Sequence, residues 1–237
     1  MLFLFKSYNV LLIAAAIIPA VLLLIRIYRS DRLDKEPPRL ILSLLLFGLL
    51  STFIASLGER LGVFLLKFLP LTDTQYALLL YFVVVAGCEE GSKYLFLKKR
   101  TWFSADFNCH YDAVLYATAV SLGFALWENL NYVFSYGLGT ALVRAVTAVP
   151  GHCCFGVFMG FWYGLAKKAD NFGYPGQSLK YRLLAFAVPL LLHGAYDFIA
   201  TQGGGGLTLG FLVFVGLLFF ISFRLVRRLS DRDQYIV

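Results

Sequence analysis

Long apolar stretches alternate with short polar segments along the whole chain. Several windows of about 20 residues carry few or no charges, the length a helix needs to cross roughly 30 Å of hydrocarbon. This pattern predicts an all-α polytopic membrane protein with about seven transmembrane helices. We expect them at Tyr8–Ile25, Leu40–Leu57, Tyr76–Phe96, Tyr111–Phe134, Leu142–Ala166, Leu183–Ala200 and Leu207–Phe223.

Composition and charge support a membrane protein rather than a nucleic-acid binder. The chain is 59% hydrophobic and 15% charged, and no long linker divides it, so residues 1–237 are expected to form a single integral-membrane domain. The net charge is +7, but sixteen of the 21 Lys and Arg fall in alternate loops and after the last span. The positive-inside rule then predicts an external N-terminus and a cytoplasmic C-terminus. The basic excess indicates topology and contact with the lipid bilayer, with no nucleic acid as partner.

Two features concern the packing of these helices. The segment Gly58–Asp73 continues with apolar residues around two bases, which predicts a separate amphipathic helix at the membrane interface. Gly156, Gly160 and Gly164 recur every four residues, which predicts a flat strip where a neighbouring backbone approaches closely.

Ionisable and polar residues nevertheless occur inside four of the predicted spans. A carboxylate in the bilayer costs several kcal/mol unless it is paired, protonated or bound to a metal, so a purely structural role for all four clusters is improbable. The clusters are Glu89, Glu90 and Lys93 in the third span, Glu128, Asn129, Asn131 and Tyr132 in the fourth, His152 preceded by Arg144 in the fifth, and His193 and Asp197 in the sixth.

Helical spacing predicts which of these side chains meet. His193 and Asp197 share a face at i and i+4, so the aspartate can orient the imidazole. Glu89 and Lys93 share a face in the same way, whereas Glu90 is turned by about 100° and should point elsewhere unless the helix is distorted. At about 1.5 Å per residue the four clusters lie roughly 12 to 25 Å from the cytoplasmic helix ends, so they can meet inside the membrane.

Two histidines and several carboxylates provide the parts for water activation. Two imidazoles and a carboxylate favour Zn²⁺, and a remaining glutamate would take the proton from water and pass it to a leaving amine. We assign the metal or water site to Glu128, His152 and His193, with Glu89 as general base and Glu90 as its alternate. A metal-free route, in which Glu and His polarise the water together, stays open.

Two other functional classes also use such residues. Intramembrane Glu, His and Asp build proton relays in proton-coupled transporters, although the chain shows no internal repeat. A non-catalytic membrane sensor would tolerate the loss of Glu89, whereas an enzyme would not. Neither a persuasive Ser–His–Asp arrangement nor the HExxH zinc motif is present.

The ordered motifs EEGSK (89–93), YDAVLYATAVSLGFALWENLNYV (111–133), RAVTAVPGH (144–152) and HGAYD (193–197) resemble the PrsW family of intramembrane proteases. That family is distantly related to the CAAX prenyl proteases and bacteriocin-processing enzymes. The DKEPP segment after the first span fits as well. Ala113 stands where members often have glycine, a departure that affects only the local turn.

The resemblance implies an intramembrane endopeptidase that cleaves a membrane-anchored protein, such as a transmembrane anti-sigma factor, in a bacterial or archaeal plasma membrane. It carries the catalytic roles onto Glu89, Glu90, Glu128, His152 and His193. We expect supporting roles, mostly as hydrogen-bonding partners, for Lys93, Asn129, Asn131, Tyr132, Arg144 and Asp197. The substrate and the oligomeric state do not follow from the sequence.

Overall fold

The computed structural model describes the backbone of residues 2–201, 203 and 205–236, and the side chains of 10–201, 203 and 208–236. Within these ranges the regular secondary structure is helical, with one isolated bridge between Cys109 and Tyr235. The helices are α1 (Leu2–Ser30), α2 (Pro38–Leu66), α3 (Asp73–Leu78), a π-helical turn (Leu79–Val85), α4 (Ala86–Thr101), α5 (His110–Tyr136), α6 (Leu138–Val146), α7 (Ala148–Asn171), α8 (Pro175–Thr201) and α9 (Gly205–Asp231).

The prediction of an all-α polytopic membrane protein is confirmed. Among the described residues, six segments are long and apolar enough to cross a membrane, with α6 and α7 counted as one. The third predicted span, Tyr76–Phe96, falls on the composite helix formed by α3, the π turn and α4. Exposed side chains such as Leu22, Leu57 and Leu209 cover the outer helices, as a lipid-facing surface requires.

Local sequence explains most helix ends. Pro38 occupies the first turn of α2, where its missing N–H costs nothing. Asp112 caps α5 by accepting the Cys109 N–H at 2.6 Å and the Asn108 N–H at 3.0 Å. Thr147 breaks the helix between α6 and α7 (φ −121°, ψ −71°), because Pro150 cannot donate to the carbonyl of the preceding turn.

The predicted interfacial helix at Gly58–Asp73 is wrong in its first half. Helix α2 continues through Gly58 to Leu66, because no proline or turn signal interrupts this apolar stretch. The extension makes Glu59 part of a membrane-crossing helix rather than of an interfacial segment.

Helix α5 forms the centre of the bundle. Every residue from His110 to Ala125 is buried, and α5 packs against α1, α2, α4 and α7. The glycine strip of α7 faces it as predicted: a Cβ at Gly160 would lie 2.5 Å from the Cα of Val114, and one at Gly156 would lie 2.9 Å from the Cα of Thr118. This close contact fixes the position of α7, which carries His152, relative to α5, which carries Glu128.

Candidate active site

Four helices bring their ionisable side chains into one buried cluster. Helix α4 contributes a Glu–Glu pair and a lysine, and α5, α7 and α8 contribute one further residue each. The members are Glu89, Glu90, Lys93, Glu128, His152 and His193. All but Glu128 are buried, and the Glu128 side chain is 22% exposed. The structure therefore brings together every residue predicted to be catalytic.

Lys93 lies at the centre of this cluster. Its Nζ donates to Glu90 Oε1 at 2.8 Å and to Glu89 Oε2 at 3.2 Å. The same ammonium donates to His152 Nδ1 at 3.1 Å and lies 3.9 Å from the centre of the Phe124 ring. Because the side chain is completely buried, these contacts replace the hydration that the ammonium group loses. Lys93 thus pairs with both glutamates, not only with Glu89 as the spacing predicts.

The two histidines have the same arrangement. His152 Nδ1 faces Lys93, and His152 Nε2 lies 2.7 Å from Glu128 Oε2. His193 Nδ1 lies 2.9 Å from Glu90 Oε1, and His193 Nε2 lies 3.3 Å from Asp197 Oδ2. Each imidazole thus presents Nδ1 to the centre of the cluster and Nε2 to an outer carboxylate, a partner that fixes the orientation of the ring.

Aromatic contacts hold both rings in place. Phe155 stacks on His193 with ring centroids 4.8 Å apart and an interplanar angle of 19°. The His152 and His193 rings are themselves perpendicular, with centroids 5.1 Å apart. Packing on the rings and hydrogen bonds at their edges leave little rotational freedom, which is the preorganisation that a reactive site needs.

The prediction that Glu90 points away from Glu89 is wrong. Both carboxylates reach Lys93, and both approach His193, with Glu89 Oε2 3.9 Å from its Nε2. Lys93 and His193, the partners that the two glutamates share, lie between the directions in which the two side chains leave α4. Long side chains one residue apart therefore converge on them without a distortion of the α-helix. The glutamates differ in access instead: Glu89 lines a cavity, whereas Glu90 is 0% exposed.

A cavity of about 480 Å³ lies against the cluster. Catalytic candidates from all four helices line it, and so do residues close to the C-terminal ends of α5 and α8. The cavity therefore extends from the cluster towards the end of the bundle where α5 and α8 terminate. Its polar lining comprises Thr52, Ser56, Glu59, Glu89, Glu128, Asn131, Arg144, His152, His193, Asp197 and Thr201, together with Tyr81, Tyr132 and Tyr196.

The predicted supporting residues surround Glu128. Arg144 Nη2 pairs with Glu128 Oε2 at 2.9 Å, and Arg144 Nε donates to Asn129 Oδ1 at 3.1 Å. Asn129 Nδ2 in turn donates to the Ala16 carbonyl at 3.2 Å, and Tyr132 packs its ring 3.9 Å from the Arg144 guanidinium carbon. The chain of contacts ties Glu128 to α6 and α1. Asn131, the remaining predicted member, lines the cavity.

Glu59 is a polar residue of the cavity that the sequence analysis missed. It lies on the part of α2 that was predicted to be an interfacial helix. A signal was nevertheless present, because Thr52, Ser56 and Glu59 follow the i, i+4, i+7 spacing of one helical face. All three line the cavity.

The donor set of the cluster suits a divalent metal. Glu89, Glu90, His152 and His193 each offer one ligand atom, and these atoms lie within 4.8 Å of one another. Glu90 Oε2 is buried without a hydrogen-bond partner among the described residues, so it is free to act as a ligand. Imidazole and carboxylate are ligands that zinc accepts. Glu128, placed in the predicted metal set, lies outside this group of four and contacts His152 instead.

Comparison with known proteins identifies close relatives over most of the chain. A family profile described as PrsW family intramembrane metalloprotease matches residues 36–225. Protease PrsW of Bacillus subtilis (strain 168) is 33% identical over 80% of this chain and 83% of its own length. Protease PrsW of Oceanobacillus iheyensis is 32% identical over 93% of this chain and 96% of its own length. No solved structure matches the chain.

Proposed function

The chain belongs to the PrsW family of intramembrane metalloproteases, and on that basis we propose that its buried Glu/His cluster is the peptidase centre, with Glu89 as general base. As a member of this family the chain is a multi-pass membrane peptide hydrolase. Membership favours hydrolysis over the proton-coupled transporter and the non-catalytic sensor. The observation that carries the proposal is the convergence of two carboxylate-oriented histidines and Glu89 on one cavity, with Glu90 directly behind them.

Glu89 is the glutamate of the pair that can reach a substrate. Its carboxylate lines the cavity while Glu90 is enclosed behind it, so of these two glutamates it is Glu89 that can take a proton from a water molecule in the cavity. A general base must lie within hydrogen-bond reach of the proton it removes and return that proton to the leaving group. In this scheme Glu89 removes the proton of the attacking water and then protonates the amine of the cleaved peptide.

The histidines and their carboxylates position the reacting groups. His152 and His193 line the cavity beside Glu89, and we assign them to hold the attacking water or a metal ion, with Glu90 completing the set. Glu128 orients His152 and Asp197 orients His193 through their contacts with Nε2. Arg144 holds Glu128 in place and balances its charge.

We propose zinc as the metal, held by His152, His193 and Glu90, with Glu89 left free as the base. Bound zinc supplies Lewis-acid polarisation and makes a water molecule acidic at neutral pH. The protein would contribute three donor groups, two of them oriented imidazoles, and leave a position for the reacting water. Elemental analysis of purified wild-type protein beside His193→Ala tests this assignment: stoichiometric zinc in the wild type and its loss in the variant support it. Zinc-free wild-type protein that cleaves substrate would contradict it in favour of the metal-free route.

The substrate we propose is a membrane-anchored protein cut near the external surface of the cell membrane. The cavity extends towards the ends of α5 and α8, and the positive-inside rule puts those helix ends outside. A transmembrane anti-sigma factor is the substrate class that the family suggests. Such a protein would present a bond close to the outer end of its single membrane helix.

The proposed function is tested by comparing new protein N-termini in membranes that contain wild-type protein or Glu89→Gln. We expect a defined set of cleavage products with the wild type and their loss with Glu89→Gln, which removes the basic oxygen at nearly unchanged volume. Asp73→Asn, an exposed carboxylate away from the cavity, is the matched control and should cleave normally. Full cleavage by a folded Glu89→Gln protein would refute the role of Glu89.

A further inference from the structure

The cavity has an acidic residue that the proposed chemistry does not use. Glu59 projects from α2 into the cavity wall and is partly exposed. Among the described residues, no side chain or backbone group forms a hydrogen bond or ion pair with its carboxylate. It also lies outside the donor group that could hold a metal. An unpaired carboxylate on a membrane-crossing helix is costly to keep and marks a functional position.

The other cavity carboxylates are already paired. Glu89 contacts Lys93 at 3.2 Å, Glu128 contacts Arg144 at 2.9 Å, and Asp197 lies 3.3 Å from His193. Glu59 is therefore the cavity carboxylate that has no ion-pair partner among the described residues. Low-dielectric walls strengthen the field of such a charge and attract a cation.

The size of the cavity allows that cation to belong to a peptide. A volume of about 480 Å³ equals that of roughly 16 liquid waters, which is room for a long side chain beside a peptide group. Glu59 and Glu89 line this one cavity from α2 and α4. A side chain bound at Glu59 would therefore belong to a residue close in sequence to the bond at Glu89.

We propose that Glu59 forms a specificity subsite that binds a lysine or arginine side chain of the protein substrate next to the cleaved bond. This inference rests on the proposed peptidase function of the cluster. An ammonium or guanidinium group pairs with a buried carboxylate through short charge-assisted hydrogen bonds. Thr52 and Ser56 on the same face of α2 add hydroxyl groups to the subsite wall.

The test separates binding from cleavage. Labelled single-span peptides with Lys, Arg, Gln or Glu at each position around the cut site are bound to full-length protein in phosphatidylcholine nanodiscs. Binding is measured by fluorescence anisotropy in a Glu89→Gln background, and cleavage is measured with Glu89 intact. At one position we expect Lys or Arg to bind on the order of tenfold more tightly than Gln. Glu59→Gln should abolish this preference, and Glu59→Lys should transfer it to peptides with Glu.

Asp73→Asn is the control, because it removes the same charge from the same predicted side of the membrane at an exposed site. It should leave the preference intact. Peptides that are cleaved without any dependence on the charge at residue 59 would refute the subsite and leave the peptidase function standing. Charge-dependent binding without cleavage would refute the peptidase function and, with it, the assignment of Glu59 to a subsite beside a cleaved bond, leaving only a cation-binding site. A Glu59 effect that appears only when amine-bearing lipid is added would assign the carboxylate to a lipid headgroup and overturn the proposal.

Discussion

Removing the central ammonium should destabilise the whole protein. In Lys93→Met the buried side-chain volume is nearly kept, but the carboxylates of Glu89 and Glu90 lose the cation that lies 3.2 and 2.8 Å away. Deleting one partner of a buried ion pair costs about 3–5 kcal/mol, because the remaining charge is left unpaired in a low dielectric. Since Glu90 is fully buried and Lys93 also pairs with Glu89, we expect a loss in the free energy of unfolding within that range.

The assay is a double-mutant cycle on the purified protein in detergent with a chelator present. Glu90→Gln added to Lys93→Met removes one of the two stranded charges, so the double variant should regain more than half of the loss. Lys67→Met, which removes an exposed lysine, should change the unfolding free energy by no more than about 0.5 kcal/mol. A Lys93→Met protein as stable as the wild type, or a double variant no more stable than Lys93→Met, would refute the pairing.

Two further predictions concern pH and helix packing. Burial raises the pKa of Glu36 to about 7 and that of Asp31 to about 6, above their ordinary values of 4.5 and 3.8. A carboxyl group whose pKa is raised in the folded protein stabilises the fold while it is protonated. The contributions of Glu36 and Asp31 are therefore complete below pH 4 and are lost as the pH rises through 6 to 7, on the order of 3 kcal/mol for Glu36. The free energy of unfolding of Glu36→Gln should depend less on pH than that of the wild type. Gly160→Ala would bring its Cβ to 2.5 Å from Val114 and should lower the unfolding free energy by about 1–3 kcal/mol.

Each of these two predictions has its own control. Unfolding profiles of the wild type and Glu36→Gln that run parallel between pH 5 and 8 would rule out Glu36 as the titrating group. For the packing prediction the control is Gly210→Ala on α9, where no described atom beyond its own helical turn lies within 4 Å of an added Cβ, so it should leave stability unchanged or raise it by up to about 1 kcal/mol. Equal stability of the Gly160→Ala and Gly210→Ala proteins would show that α5 and α7 separate readily.

Local helical geometry made half of the site predictable. The pairs Glu89–Lys93 and His193–Asp197 depend only on an i, i+4 spacing, and both contacts are present. The pairs that join helices, such as Lys93 with His152, depend on tilt, rotation and depth, which one sequence does not specify. The predicted direction of Glu90 was wrong for a different reason: Glu90 and Lys93 are at i and i+3, which also lie on one helical face, and the two are 2.8 Å apart.

The hydrophobic pattern predicted the fold about as far as helical spacing predicted the site. Apolar length predicts the membrane spans, but the two bases Arg60 and Lys67 suggest an interface, and the predicted end of α2 therefore falls too early. A carboxylate that faces a polar cavity can remain within a membrane helix, so charge alone did not mark the end. No proline or glycine within Leu79–Val85 announces the π turn, although such turns are frequent at functional sites.

The net charge of the cluster can be balanced in both the metal-dependent and the metal-free route. Together with its neighbours Asp197 and Arg144, the cluster holds four carboxylates, Glu89, Glu90, Glu128 and Asp197, and two permanent cations, Lys93 and Arg144. With every carboxylate ionised and both histidines neutral, four negative charges face two positive ones, an excess of two. A divalent ion balances this excess, and so do two protons on the imidazoles. Because Lys93 already contacts three of the four potential metal ligands, a bound ion and the ammonium must share the same donors, so stoichiometric zinc implies that Lys93 gives up part of its contacts.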